Sequence, residues 1–346
     1  MCQKKGFSKF VFRSLLALLP VAVYVALYLV LDPFRVVHPY DGIAIPAGDS
    51  LDRIPNKRFV SLEGFKIYDP QEHFDSFIFG SSISTNFLAS SWQRHLPSGS
   101  KVYHFTESAQ TLTGIRDELR WLVNNDVNFR HALLIMEEEM FQRPKRYREM
   151  PFIPHYKVSP EVTRLDFHLV HFNALRDVDM LLFAIHPQWS VDRLIADGKM
   201  ALAPSGRNEV LNEDYSTEYD SLICHDPDKY YAVMPWLETM PVLPYPMPLS
   251  INAEAETVLR EIAAILRENN IDYVVIVPPR YQSPALSQLD HALLCEIMGD
   301  EHVNDFTGDS TLVHDLHSFY DGIHVITPRC TDMIDRSYEP KLKWKR

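Results

Sequence analysis

The apolar positions of this chain change period repeatedly, and each change marks an element. Phe74 to Phe79 reads as a buried strand that stops at Gly80. After two serines, Ile83, Phe87, Leu88 and Trp92 recur at helical spacing. Lys101–Thr106 is β-branched and aromatic and predicts a second strand. Leu112, Ile115, Leu119 and Leu122 predict an amphipathic helix ending at Asn124-Asn125. Ala132–Met136 predicts a third strand, running into Glu137-Glu138-Glu139, which reads as a solvated acidic loop. Much later, Ala255, Val258, Leu259, Ile262, Ile265 and Leu266 mark another helix. Tyr273–Val277 has the composition of a central parallel strand. Leu286, Leu289, Leu293 and Ile297 line the next helix, His302–Phe306 is the last strand, and Thr327-Pro328 suits the start of a final helix.

Two stretches break this α/β rhythm. Lys4, Lys5, Lys9 and Arg13 precede an uncharged run from Ser14 to Leu31, about the length that crosses a bilayer. Residues 1–31 therefore read as a cytoplasmic tail and an uncleaved transmembrane signal anchor, with the positive flank inside. A cleaved signal peptide or a buried core helix are the alternatives; Asp32-Pro33-Phe34 is a poor cleavage site. Residues 32–70 carry scattered Pro, Gly and Asp and read as a stalk, with Phe59–Leu62 as an added edge strand. Residues 141–250, rich in Pro and aromatics, interrupt the domain that starts at 71. Leu165–Phe183 reads as helical there. This insertion is expected to pack over the carboxyl edge of the sheet as a lid, and Trp189, Trp236, Tyr230 and Tyr231 could stack on a sugar or simply form core.

Composition narrows the partners. A net charge of −12 leaves no basic footprint for nucleic acid. Cys224, Cys295 and Cys330 permit at most one bridge, and no zinc spacing is present. Only 12 glycines occur, so Gly80, Gly114 and Gly322 stand out in loops beside candidate chemistry.

That chemistry begins at Gly80-Ser81-Ser82. A strand, a tight turn and a helix would lift a serine hydroxyl out at the carboxyl end of a sheet, where open α/β sheets bind ligands. Simple capping of the helix is the other reading. Near the C-terminus, Asp321 and His324 are three residues apart, close enough for a carboxylate to orient an imidazole. Arg280 and Tyr281 follow the central strand and are candidate substrate-binding residues.

Together these residues resemble the SGNH (GDSL-type) hydrolase superfamily. Gly80-Ser81-Ser82 matches its first block, with Ser81 in place of the usual Asp, and Asp321-x-x-His324 matches its last. The resemblance implies a three-layer α/β fold with a flavodoxin-like parallel sheet, a catalytic Ser82-His324-Asp321 triad, and an oxyanion hole from the N–H groups of Ser82 and Gly114. No cofactor is expected, and no metal: His314 and His317, with His324, have a spacing that fits a helix face poorly, and no carboxylate motif completes a site. Within the superfamily the chain looks most like membrane-anchored, extracytoplasmic members that work beside membrane-bound O-acyltransferases. Acyl transfer or hydrolysis on a cell-surface glycan, outside a bacterial inner membrane, is then the expected activity. A non-catalytic accessory or glycan-binding protein is the alternative. The superfamily's usual oxyanion Asn has no counterpart near Glu137.

Overall fold

The computed structural model of the chain describes residues 2–42, 56–145, 149–196, 206–237, 239–241 and 250–339. Seven strands are present among them: β1 (Ser76–Gly80), β2 (Val102–Thr106), β3 (His131–Ile135), β4 (Gly206–Asn208), β5 (Glu213–Tyr215), β6 (Asp272–Val277) and β7 (Val303–Asp305). Five form one sheet in the order β2-β1-β3-β6-β7, and every pair in it is parallel. Parallel pairing requires crossovers, and these cover both faces with helices.

Alternation along each strand sorts the side chains to the two faces. Phe77, Phe79, Tyr103, Phe105, Leu134, Val275 and Val277 share one core. Helices Lys57–Glu72, Leu112–Asn124, Ala253–Glu268 and Gln288–Met298 pack there through Phe65, Leu119, Leu259 and Leu294. Ile78, Leu133, Ile135 and Ile276 form the other core, with Phe87, Trp92, Cys330 and Met333. The chain leaves β1 toward β2 on one side, then returns past β1 to β3 on the other. That reversal opens a crevice at the carboxyl ends of β1 and β3, where doubly wound sheets bind ligands.

The Cys2–Leu31 helix contains a 23-residue stretch, Lys9–Leu31, that is apolar enough to cross a membrane. It does not lead into a stalk. Asp32 turns the chain back, its carboxylate accepting from the N–H groups of Val36, Val37 and His38. Phe34, Val36 and Tyr40 are then buried against the domain. Residues 57–72 are a helix rather than an edge strand: Asn56 caps Arg58 and Phe59, and Phe59, Leu62 and Phe65 recur at helical spacing on its buried side. The short run Phe59–Leu62 showed its apolar residues without enough length to reveal that period. Within residues 32–70, positions 43–55 lie outside the described residues.

The insertion is also not a single cover. Leu165–Phe183 is two helices, Arg164–Ala174 and Val178–Ile185, because Asp177 caps a new start. They pack with Val191–Ala196 against the end of the N-terminal helix. The β4-β5 hairpin lies beside β2, where His104 N–H donates to Leu211 O and Asn212 donates to His104 O. Thr217–His225, Pro227–Tyr231 and, beyond them, Leu237 and Met240 reach the loop that carries His324. Pro204, Pro244, Pro246 and Pro248 of the insertion lie outside the described residues.

Candidate active site

β1 ends at Gly80, and a Cβ there would lie 2.6 Å from the Cβ of Ser84. The missing side chain lets the backbone turn sharply into a 3-10 helix, Ser82–Asn86. The continuous α-helix read from Ile83 to Trp92 is therefore two pieces; Phe87 and Leu88 leave helical geometry before Ala89–Gln93 begins. Ser81 is the N-cap, its hydroxyl oxygen accepting from Ile83 N–H at 3.3 Å. Ser82 is the first residue inside the turn, and its side chain is free to point outward.

The partner loop is built by its own aspartate. Asp321 Oδ1 accepts from the N–H groups of Ile323 and His324, each at 2.8 Å. Tyr320 N–H donates to His324 O, and a bridge joins Phe319 to Val325, so the segment closes on itself. Asp321 Oδ2 lies 2.8 Å from His324 Nδ1, and His324 Nε2 lies 2.9 Å from Ser82 Oγ. A carboxylate only accepts, so Nδ1 carries the proton and Nε2 is left to accept from the Ser82 hydroxyl. Burial alone would raise the Asp321 carboxyl. The hydrogen bond from His324 Nδ1–H, with the two backbone donors, outweighs it and holds the group below its ordinary range. The His324 side chain is 25% exposed, so the imidazole is reached by solvent.

Several groups hold the two halves together, and most carry no motif. Asn86, on the same 3-10 helix as Ser82, donates to Val325 O at 2.9 Å. Tyr281 N–H donates to Gly322 O at 3.1 Å. Tyr231 OH bonds Phe319 O and Leu316 O, and Tyr230 OH bonds Tyr320 O. Burial first, then the nearby Asp321 charge, push the Tyr230 phenol up to about 12. Asp220 holds the Tyr320 hydroxyl from the same insertion segment. Asn86 lies at helical offset +4 from Ser82, the one signal by which it could have been found.

Other expectations change. Glu137 is buried rather than solvated: it accepts from Ser81 Oγ, and Arg280 Nη2 pairs with its other oxygen at 2.9 Å. Arg280 also lies 3.6 Å from Glu139, so its charge is engaged by protein. Tyr281 is buried against Phe319 and presents no open ring. Gly114 is not brought to Ser82. Its N–H donates to the Thr111 hydroxyl at 3.2 Å as part of a helix cap. It lines a small cavity with Arg58, Glu107, Asp117, Glu118 and His155 instead. Tyr231 is buried, while Trp189 and Trp236 are exposed. His314 bonds Gln282, and His317 stacks on Tyr231. Cys224, Cys295 and Cys330 are all unbridged.

No protein-family model matches the chain, and no curated protein matches it. The site thus stands on its own geometry: an outward serine, an imidazole in contact with it, and a carboxylate fixing that imidazole. Such an array can move a proton from a hydroxyl as that hydroxyl attacks a carbonyl.

Proposed function

We propose that the chain is a membrane-anchored acyl-ester enzyme of the SGNH type. It takes an O-acyl group, such as acetyl, and passes it to a hydroxyl of a cell-surface polysaccharide or to water. The observation that carries this reading is the hydrogen-bonded series Ser82, His324, Asp321 at the carboxyl edge of a parallel sheet. Ser82 Oγ bonds to the acyl carbon while its proton passes to His324 Nε2. The tetrahedral intermediate collapses, and the leaving oxygen takes that proton. A sugar hydroxyl or water then gives its proton to His324 and attacks the acyl-enzyme, releasing Ser82. Asp321 stabilises the imidazolium at both stages. The Ser82 N–H, at the start of the 3-10 helix, is one donor to the oxyanion.

The Lys9–Leu31 helix would anchor the domain with its basic flank in the cytoplasm and the site outside, beside a membrane-bound O-acyltransferase. The use of Gly114 N–H as a helix cap favours a second reading, a glycan-binding accessory protein that keeps the fold without turnover. Complementation separates the two. Cells carrying Ser82→Ala should lose polymer O-acylation; equal acylation with wild type and Ser82→Ala would leave only the accessory role.

A further inference from the structure

The N-terminal helix does not leave the domain behind when it enters its apolar stretch. Tyr24 packs edge-on against Phe172 with ring centroids 4.8 Å apart, and Tyr28 OH lies 3.0 Å from His168 Nδ1. Tyr24 is seven residues before Leu31, the end of the membrane-length stretch. At 1.5 Å per residue that is about 10 Å back along the helix axis. The Arg164–Ala174 helix therefore meets the anchor below the level at which the anchor ends.

This small helical group exposes large apolar side chains alongside the polar Arg164, Asp166, Asn173, Arg176, His186 and Gln188. Leu165, Leu169, Val178, Ile185 and Trp189 are 68%, 45%, 68%, 46% and 55% exposed. The Val178–Ile185 helix buries Met180 and Phe183 on one side and turns Val178, Leu181, Leu182 and Ile185 to the other. Its single charged residue, Asp179, is paired with Arg193 at 2.7 Å. A helix in water keeps a polar outer face; one apolar all round belongs in a core or a bilayer. Trp189 stands at the end of the stripe, and tryptophan is enriched where membrane meets water.

We propose that the helices spanning residues 164–189 are seated in the outer leaflet of the bilayer that the Lys9–Leu31 helix crosses. Leu165, Leu169, Val178 and Ile185 contact acyl chains, and Trp189 sits among the headgroups. The occupant of this face is lipid, because the helix that carries Leu165 and Leu169 touches the anchor at Tyr24 and Tyr28, inside the membrane-length stretch. Interfacial helices bury their apolar side about 5–10 Å into this zone, matching the offset of the Tyr24–Phe172 contact. Two attachments, the anchor and this wedge, would hold the site of Ser82 at a fixed orientation to the membrane. The inference rests on the anchor reading made above.

The test uses the full chain in phospholipid vesicles, with Cys2, Cys224 and Cys295 replaced by serine and Cys330 left buried. Nitroxide labels go singly at Leu169, Ile185, Val21 in the anchor and Leu289 on the far helix. Relaxation by oxygen against relaxation by a polar nickel chelate reports depth. Labels at Leu169 and Ile185 should favour oxygen as Val21 does, while Leu289 favours nickel. Nickel-type values at Leu169 and Ile185 with a lipid-type Val21 overturn the wedge and leave the anchor standing. A nickel-type Val21 overturns the anchor and the wedge with it. Spin–spin broadening at Ile185 that grows with protein-to-lipid ratio also overturns it, in favour of a second copy on this face. An unlabelled check compares quenching by brominated lipids in wild type and Trp189→Phe. The wild type should lose additional signal, and equal quenching of the two would overturn the placement of Trp189.

Discussion

Removing the carboxylate of Glu137 should cost more than any other single change in the acidic stretch after β3. Three groups depend on it: the buried Ser81 hydroxyl, the Arg280 guanidinium, and through Ser81 the cap on Ile83. A hydrogen bond to a charged acceptor contributes about 1.5–3 kcal/mol, and leaving a buried hydroxyl unsatisfied costs a similar amount. The Arg280 pair adds less, because the arginine side chain is 28% exposed and Glu139 remains nearby. Glu137→Ala should then lose about 3 kcal/mol, on the order of 5–10 °C in Tm for a domain of this size. Glu139→Ala removes a carboxylate that is 48% exposed and should change Tm little. Glu137→Gln keeps an acceptor for Ser81 and should fall between them. Thermal unfolding of the three variants in detergent, followed by circular dichroism, reads the order. If Glu137→Ala melts with Glu139→Ala, the acidic stretch is a solvated loop after all and Glu137 tethers nothing.

Asn86→Ala removes the one side-chain bond from the Ser82 turn to Val325 O and should lower kcat on a chromogenic acetyl ester about tenfold; KM should hold, and an unchanged kcat would exclude a positioning role. Asp321→Asn can keep the two backbone bonds through its amide oxygen but turns an N–H toward Nδ1, so kcat should drop about a thousandfold or more with little change in Tm. Glu213 is buried beside Ala89 N–H, and burial pushes its carboxyl up to about 7. A raised acid favours the folded state fully below its unfolded value, and that contribution is lost as pH rises through about 7. Glu213→Gln should therefore stabilise the protein by on the order of 2 kcal/mol at pH 8 and by little at pH 5; equal effects at both would refute the shift.

The five-stranded sheet was legible because parallel strands covered on both faces must be nearly all apolar, as Phe77–Phe79 and Tyr273–Val277 are. The pairing of Asp321 with His324 was legible because a local turn can join residues three apart. What was hidden depends on distance in sequence. Glu137 looked like one of three exposed acids because nothing near it in the chain announces Ser81 or Arg280. The Lys57–Glu72 helix was masked by Pro70 and by the short apolar run Phe59–Leu62. Gly114 looked available because its cap, Thr111, is an ordinary polar residue three positions earlier. The split of the insertion between the anchor and the His324 loop follows from packing that periodicity alone does not encode.

The most direct test of the central claim is covalent labelling of the purified full chain with a fluorophosphonate probe. Attack of Ser82 Oγ on phosphorus expels fluoride, and His324 takes the proton, so labelling requires the activated hydroxyl seen in the 2.9 Å contact. Wild type and Ser81→Ala should label, while Ser82→Ala and His324→Ala should not, and peptide mapping should place the adduct on Ser82. An unlabelled wild type, or equal labelling of Ser82→Ala, would contradict the account.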